Sequence, residues 1–326
     1  MAAERSCEFA YVSHDLVLCA SAPDNSLLLI HLPVDHESGQ RRRIETQLVL
    51  RLPDLKSDLT YVFDQQCCCK PDLFGEVNAD GGNVRIKQWG RSSGFVHSPQ
   101  DAVIHITFTV ARQVYPHEDS EESRKDFALV VHRSSLAGLL GSHPPMYASK
   151  VTINIHFPSS VVLIDFHLQS VCLPQILEWE EWGASIAHIY AVDLQAWGRD
   201  NDPLPSEVWG QRLVLGNCEE IIIRDFNPYN VQTTREQLQF ESLTLGITSD
   251  LLRRETDSTT SHSTITVVDG RQTLADDDVF QQPVTFALPY VETVKKGNFA
   301  HLKGFLLGED CVIGIHHKNV SVVCLG

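Results

Sequence analysis

Short runs in which apolar and polar residues alternate dominate this sequence. In the clearest run, Ala102–Arg112, Ile104 and Phe108 fall on one face while His105 falls on the other. A period of two residues is typical of a β-strand that buries one face. Val151–Phe157 repeats the pattern. The remaining strand candidates are Phe9–Val12, Asp15–Ala20, Ser26–Leu32, Thr46–Leu52, Asn83–Trp89, Phe127–His132, Val161–Leu168, Ile186–Asp193, Gln211–Gly216, Glu219–Asp225, Ser242–Ile247, Ser263–Val268, Gln282–Leu288, Gly304–Leu307, Cys311–Ile315 and Val320–Leu325.

Helical periodicity is nearly absent, and the sequence predicts only short helices. Ser134–Leu140 predicts one helix with Ser134 or Ser135 as its N-cap, because a hydroxyl there can accept from free backbone N–H groups. Pro174–Ser185 can hold a second short helical turn. Between the strand candidates, Pro23–Asn25 and similar turn signals predict hairpins. Three polar segments predict surface loops: Gln40–Arg43, Pro116–Asp126 and Arg253–His262.

About twenty short strands with few helices predict an all-β chain, for which three architectures come into question. Two β-sandwiches need a central linker; Pro116–Asp126 is the best candidate, yet Lys125–Phe127 already returns to a strand pattern. A β-solenoid needs a strict short period, and none is visible. A β-propeller uses roughly 40–45 residues for each blade. We therefore predict a single β-propeller-like domain over residues 1–326, with roughly seven degenerate blades and few short helices.

Tryptophan followed by glycine is the most distinctive local pattern. Four of the five Trp precede Gly, and three of these pairs lie within residues 182–210. A Trp beside a Gly suits a strand end, where a large ring packs over a backbone that turns sharply. The structural interpretation is that these rings pack between blades; the functional alternative is that some of them bind a partner. The possible partner-contact residues are Trp179, Trp182, Trp197 and Trp209.

Charge and cysteine content narrow the function classes. The formal net charge is −16, so the surface repels phosphate backbones and anionic lipid and favours a basic partner. We therefore expect neither nucleic acid nor membrane among the partners. The chain has nine Cys, no signal-peptide pattern at its first residues and no apolar run of about 20 residues. These features predict a reducing compartment, either cytoplasmic or nuclear.

Clustered cysteines and histidines are the first candidates for chemistry. Cys67, Cys68 and Cys69 precede Lys70, which could lower a thiolate pKa, and thiolates bind soft metals. Adjacent strand residues point to opposite faces, however, and no second cysteine pair with zinc spacing lies nearby. Buried or half-buried strand cysteines are the better interpretation. His316-His317 lies between two strand candidates and is interpreted as a solvated turn.

Acidic residues beside tryptophan are the other candidate. Glu178, Glu180 and Glu181 flank two Trp, an arrangement that superficially resembles a carbohydrate site with paired carboxylates. In an extended segment Glu178 and Glu180 would share a face. Neither the Gly-x-Ser-x-Gly of hydrolases nor a phosphate-binding glycine loop is present. We therefore predict no enzyme, and no catalytic, cofactor-binding or metal-binding residues.

Several motifs, in a shared order, resemble one family. The chain is similar to the C-terminal, propeller-like region of the fungal (basidiomycete-type) F-box protein family, over most of residues 10–325. The stretch Glu178–Gly183 departs from that family's Pro-Trp-x-x-Trp-Gly pattern because Glu178 replaces the proline. The stretches that carry the resemblance are Phe127–Leu136, Glu178–Gly183, Val208–Arg212 followed by Ile221–Pro228, Leu288–Glu292 and Gly304–Gly314.

The resemblance implies a protein-interaction function. Members of the family usually carry an F-box near the amino end, a helical segment that docks the Skp-type linker of a ubiquitin ligase. Here Leu52–Leu55 is too short and lies among strands, so no F-box is detected. We expect a non-enzymatic module, the substrate-recognition part of an F-box-type ubiquitin-ligase adaptor, with a protein partner of unknown identity. The Skp-type linker is expected only if an F-box exists upstream. The alternative is a propeller enzyme or a small-ligand or metal binder with a central pocket.

Overall fold

A computed structural model describes most of the chain. It covers residues 9–21, 24–32, 45–68, 99–112, 124–144, 146–156, 163–192, 207–216, 219–245, 253–258, 261–299, 304–307, 311–315 and 320–324. These residues form 22 β-strands, three α-helices and one 3-10 turn. The described fold is therefore mostly β, in several antiparallel sheets, as the alternating pattern predicts.

The described elements have the following order along the chain. As far as the second helix they are β1 (Phe9–Tyr11), β2 (Leu16–Ser21), β3 (Ser26–His31), β4 (Glu45–Arg51), β5 (Leu59–Cys68), the 3-10 turn (Pro99–Asp101), β6 (Val103–Arg112), β7 (Arg124–His132), α1 (Arg133–Ser142), β8 (Met146–His156), β9 (Leu163–Leu173), β10 (Gln175–Leu177) and α2 (Trp179–Ile186). After α2 they are β11 (Ala187–Val192), β12 (Glu207–Trp209), β13 (Arg212–Gly216), β14 (Glu220–Asp225), α3 (Pro228–Leu245), β15 (Arg253–Ser258), β16 (Ser261–Val268), β17 (Gln272–Leu274), β18 (Val284–Phe286), β19 (Tyr290–Lys296), β20 (Gly304–Leu307), β21 (Cys311–Ile315) and β22 (Val320–Cys324).

Three sheets contain most of the described strands. The first has the order β1-β2-β3-β4-β10, the second β11-β7-β6-β5 and the third β12-β13-β14-β19-β16-β15. Neighbouring strands in them are antiparallel except β10, which is parallel to β4 and far from it in sequence. The smaller groups are β8-β9, β17-β18 and β20-β21-β22. Strands that are distant in sequence therefore complete each large sheet.

The main apolar core lies where the first two sheets and α2 meet. Leu29 and Leu48 come from the first sheet, Ile106 and Leu129 from the second, and Trp182 from α2. All five are buried. Removing apolar surface from water contributes about 25 cal/mol for each Å², so this cluster supplies much of the driving force for folding.

β6 is buried on both faces. Ile104 and Phe108 lie in the main core, as the alternation predicts. The opposite face carries polar residues in the alternating pattern, yet His105 on that face is only 2% exposed. A second core covers that face, because Val103 and its neighbours pack against Val208 and others of the third sheet. The second sheet is thus an inner layer, and His105 and Thr109 of β6 are part of the interior.

Both predicted helices form, but their bounds or caps differ from the predicted ones. α1 confirms the helix predicted at Ser134–Leu140, but its N-cap is His132, which makes no side-chain capping bond. The prediction of Ser134 or Ser135 as the cap is therefore wrong, since both lie inside the first turn. α2 confirms the helical turn predicted within Pro174–Ser185 and extends one residue beyond it.

Other sequence predictions fare unevenly. The hairpin predicted at Pro23–Asn25 is confirmed, because β2 and β3 pair antiparallel and Asn25 has a φ of 49°. The strand predicted over Ser242–Ile247 is wrong where it overlaps α3. The loop predicted over Arg253–His262 is also wrong, because β15 pairs with β16 there. Asn83–Trp89 and Gln40–Arg43 lie outside the described residues. Among the described residues, no helix is both long enough and apolar enough to cross a membrane.

Candidate functional site

The indole pair on α2 attaches this helix to two strands. Trp179 Nε1 donates to the backbone oxygen of Thr285 at 2.9 Å, and Trp182 Nε1 donates to that of Arg51 at 2.8 Å. The two rings meet edge-on with their centroids 5.2 Å apart. Both side chains are buried, so neither ring is accessible to a partner in this structure. Their burial favours the structural interpretation of Trp179 and Trp182 over their predicted partner contact.

The glycine after Trp182 gives a sharp test of this packing. A Cβ added at Gly183 would lie 2.2 Å from Cε3 of Trp179, whereas one added at Gly138 in α1 meets nothing within 4 Å. We expect Gly183→Ala to lower the free energy of unfolding by about 1–3 kcal/mol. Gly138→Ala should raise it by about 0.5–1 kcal/mol, because alanine is the better helix former. Urea unfolding followed by circular dichroism measures both; equal changes would contradict the packing described.

The other Trp-Gly pairs have different places. Trp209 is half-buried at the end of β12, and Gly210 continues into the turn with a φ of 60°. The oxygen of Gly210 accepts from the backbone N–H of Val103 at 2.8 Å. This pair therefore confirms the strand-end interpretation, and Trp209 is the one predicted contact residue described as partly exposed. Trp197 lies outside the described residues.

The acidic residues beside the indoles cap a helix. Glu178 is the N-cap of α2, and its backbone N–H donates to Oε2 of Glu181 at 2.8 Å in a capping box. The extended geometry assumed for a sugar site is wrong at Glu180, which lies in the first helical turn. Carboxylates at this position favour the helix by satisfying its free N–H groups and opposing its dipole.

A polar and aromatic cluster joins the second sheet to the third. We call His188 and Tyr190 on β11, Arg224 on β14, and Tyr290 and Glu292 on β19 the Arg224 cluster. Nε of Arg224 donates to Oε2 of Glu292 at 3.0 Å, and a terminal nitrogen donates to Nε2 of His188 at 3.2 Å. The guanidinium carbon lies 4.8 Å from the Tyr190 ring centroid and 5.2 Å from that of Tyr290. Three strands from two sheets are thereby held around one cation.

The histidines of this region are held neutral. Burial, and then the charge of Arg224, lowers the pKa of His188 to about 3. Since its Nε2 accepts from Arg224, its proton lies on Nδ1, for which the described residues supply no hydrogen-bond partner. His105 shares a hydrogen bond of 3.0 Å with the hydroxyl of Tyr190, and burial lowers the pKa of His105 to about 4.

Burial limits the reactions in which the side chains of the Arg224 cluster can take part. His188 is 2% exposed, and its ring is packed by Phe286 and Tyr290 at centroid distances of 4.8 and 4.9 Å. A proton-transfer group must reach its substrate, and these rings block the approach. Among the described residues, no group of three His, Cys, Asp or Glu could hold a metal ion. The described arrangement therefore serves as a joint between sheets.

Burial of neutral histidines makes stability depend on pH. Both His105 and His188 have folded pKa values below the ordinary 6.5, so the unfolded chain binds more protons between pH 6.5 and about 4. Stability is unaffected by them above pH 6.5 and falls as the pH drops through this window. We expect a slope of about 1.4 kcal/mol per pH unit for each of them. Urea midpoints from pH 7.5 to 4.5 measure it.

Single-residue variants show which histidine causes the pH dependence of stability. His105→Gln removes one titrating group and should flatten the pH dependence in part, because His188 and His132, whose pKa values burial also lowers, keep contributing to it. His14→Gln is the matched control, because His14 is exposed. An unchanged slope in His105→Gln, or an equal change in His14→Gln, would contradict the neutral state of His105.

The Asp225–Pro228 stretch anchors α3. Oδ2 of Asp225 accepts from Nε of Arg212 at 2.9 Å and from the amide of Asn230 at 2.8 Å. Oδ1 of Asn227 accepts from the backbone N–H of Tyr229 at 2.9 Å, which makes Asn227 the cap of the helix. Pro228 then fills the first helical position, where no N–H is needed. Each residue of this motif thus has a structural role.

One face of α3 packs on the third sheet. Val231 and Leu238, seven positions apart, are buried against Val267 of β16 and Val291 of β19. Residues seven apart share a helix face, so these two define the inner face. Arg235 at the edge pairs with Asp269 beyond β16. The helix is therefore fixed on the sheet from Val231 to Leu238.

The opposite face of α3 carries large apolar side chains in water. Tyr229, Phe240 and Leu243 are 62, 71 and 83% exposed. With 3.6 residues per turn they lie within about 60° of one another and opposite Val231. We call them the outer face of α3. Sequence reasoning missed this helix because its apolar residues lie on two opposite faces, so that no single 3.6-residue stripe stands out.

The remaining chemical candidates are only partly described. Cys67 and Cys68 lie in β5 and pair with Ile106 and His105 of β6, which places them in a strand as predicted. Cys69 and His316-His317 lie outside the described residues. The predicted strands that flank His316-His317, β21 and β22, both form and pair antiparallel.

Fold and site together define a mostly β protein with an anchored helix that presents apolar side chains to solvent. No family model, no curated protein and no solved structure matches this chain.

Proposed function

We propose that this chain is a non-enzymatic protein-interaction module. The observation that carries the proposal is the set of large apolar side chains left in water, three of which share one helix face. Exposed apolar side chains that neighbour one another on a folded protein, as Phe240 and Leu243 do one helical turn apart, are typical of a site of association. The buried polar groups of the Arg224 cluster, by contrast, bond mainly to one another. The exposed large apolar residues are Phe9, Leu173, Ile176, Tyr229, Phe240, Leu243 and Val322.

The more specific proposal is the substrate-recognition part of an F-box-type ubiquitin-ligase adaptor. It is supported by the resemblance of the Glu178–Gly183 and Ile221–Pro228 stretches, which in this fold cap α2 and anchor α3. In this proposal the capped and anchored stretches belong to the scaffold, while the exposed surface is left to select the substrate. In this role the protein acts in the cytoplasm or nucleus, which imaging of a fluorescent fusion would test.

The propeller-like arrangement of roughly seven blades is part of this proposal. Its support is the abundance of short antiparallel strands. The sheets of five, four and six strands, completed by sequence-distant partners, would make such a propeller irregular. Small-angle X-ray scattering tests it: a flattened disc is expected, and an elongated two-lobed envelope would rule the ring out.

Affinity purification with mass spectrometry tests the adaptor function. This chain is compared with a form extended upstream of Met1 and with an unrelated bait of similar size and net charge. We expect the extended form to recover the Skp-type linker and a cullin, and both forms to share a substrate candidate that the control bait lacks. If neither form recovers ligase subunits, the F-box proposal fails. If no protein exceeds the control, the interaction module fails as well.

A further inference from the structure

We infer that the outer face of α3 docks a peptide segment of a partner protein that carries apolar side chains flanked by Lys or Arg. The inference rests on the proposed interaction function and names its surface and the chemistry of its ligand. Phe240 and Leu243 form its centre, and Tyr229 extends it toward the amino end of the helix.

The length of the face fits a short peptide. Tyr229 and Phe240 are eleven positions apart, which is about three helical turns and roughly 17 Å. Leu243 lies one further turn along. The whole strip from Tyr229 to Leu243 is therefore about four turns, or roughly 21 Å, long. A partner helix of about four turns, or an extended segment of about six residues, spans it and can place one apolar side chain beside each of the three.

The charge around the face favours a basic ligand. Among the described side chains of α3 that are exposed, the sole charged one is Glu236, which lies between Tyr229 and Phe240 on the same face. Arg235, the helix's basic residue, pairs with Asp269. The whole chain has 42 acidic and 26 basic residues and a net charge of −16. A basic segment is therefore attracted, whereas a second copy of this acidic chain is repelled.

The face is also preorganised. The Asn227 cap and the Asp225 bonds fix the start of α3, and Val231 with Leu238 fixes its inner face. Because the backbone of an anchored helix is already ordered, ligand binding has to order the exposed side chains but not the backbone that carries them. Loops of the same composition would lack this advantage.

Selection from a random peptide library displayed on phage, with the full chain as bait, tests the inference. We expect enriched peptides to combine apolar residues with Lys or Arg. In fluorescence anisotropy, Phe240→Ser combined with Leu243→Ser should weaken their binding at least tenfold. Glu236→Lys should also weaken peptide binding, and the loss of affinity should be larger at low salt than at high salt. Val322→Ser is the matched control, since Val322 is 59% exposed on β22, and it should bind as the unchanged chain does.

Several results would overturn the inference. They are an enrichment of peptides that lack basic residues, no enrichment of any peptide, or equal affinity of the Phe240/Leu243 variant and the unchanged chain for the enriched peptides. A self-associating chain that becomes monomeric in this variant would assign the face to a second copy. A fall of several degrees in Tm would show that another part of this chain covers it. If the Phe240/Leu243 variant captures from a lysate every partner that the unchanged chain captures, the outer face of α3 is not the docking surface, but the proposed interaction function stands. If neither chain captures a protein, both the docking surface and the interaction function are refuted.

Discussion

Trp182→Ala is expected to lower the free energy of unfolding by about 3–5 kcal/mol, the largest single effect we predict. The side chain is fully buried in the main core and packs edge-on against Trp179. Its replacement leaves a cavity that the surrounding sheets cannot fill, because Leu29 and Leu48 come from a strand pair already fixed by its neighbours. It also leaves the oxygen of Arg51 without the indole donor. Urea unfolding followed by circular dichroism gives the measurement.

A graded control separates the cavity from the hydrogen bond. Trp182→Phe keeps most of the apolar volume and removes the indole N–H, so it should cost about 1–3 kcal/mol for the unsatisfied carbonyl and the smaller ring. The alanine variant should lose clearly more. If the two variants were equally stable, Trp182 would not be packed in the core as described.

Arg224→Met is expected to lower the free energy of unfolding by about 3 kcal/mol, because it leaves the carboxylate of Glu292 without its cation in a mostly buried place. The side chains of Arg224 and Glu292 are 15 and 23% exposed. The variant also removes the contacts of the cation with the Tyr190 and Tyr290 rings. In addition, the pKa of His188 should rise, since the nearby positive charge contributes to its depression.

A second arginine on the chain supplies the matched control for Arg224→Met. Arg235 and Asp269 form an ion pair in which the side chains are 28 and 47% exposed, so Arg235→Met should cost less than about 1 kcal/mol. A double-mutant cycle that combines Arg224→Met with Glu292→Gln isolates the coupling within the buried pair. Equal losses in the two arginine variants, or a coupling near zero, would show that the Arg224 cluster is not a joint between the sheets.

Much of the secondary structure could be predicted from the sequence, because strand periodicity is a local signal. The alternation around Ile104 and Phe108 identified β6, and Asn25 identified a hairpin turn. The burial of His105 could not be predicted, since it depends on the third sheet covering β6. The parallel pairing of β10 with β4 depends likewise on contacts between distant segments.

The candidate site was harder to predict than the strands. The Trp-Gly pattern placed Trp209 correctly at a strand end. At Trp182 the same pattern lies inside α2, within the stretch for which the sequence separately predicted a helical turn, because a Trp-Gly pair looks the same in a strand and in a helix. The Asp225–Pro228 stretch was singled out as a motif, yet its capping role follows only when the helix after it is recognised. That helix carries Phe240 and Leu243 outward and Leu238 inward, which cancels the periodic signal.

The parallel pairing of β10 with β4 has a consequence for synthesis on the ribosome. β4 ends at Arg51, and its pairing edge is completed only when Gln175–Leu177 has been translated. At roughly 5–20 residues per second, the nascent chain carries an open strand edge for about 6–25 s. An open edge of apolar strands invites pairing with another nascent chain. The yield of native protein should therefore rise when chaperones that shield nascent chains are abundant and fall when translation is slowed between β4 and β10.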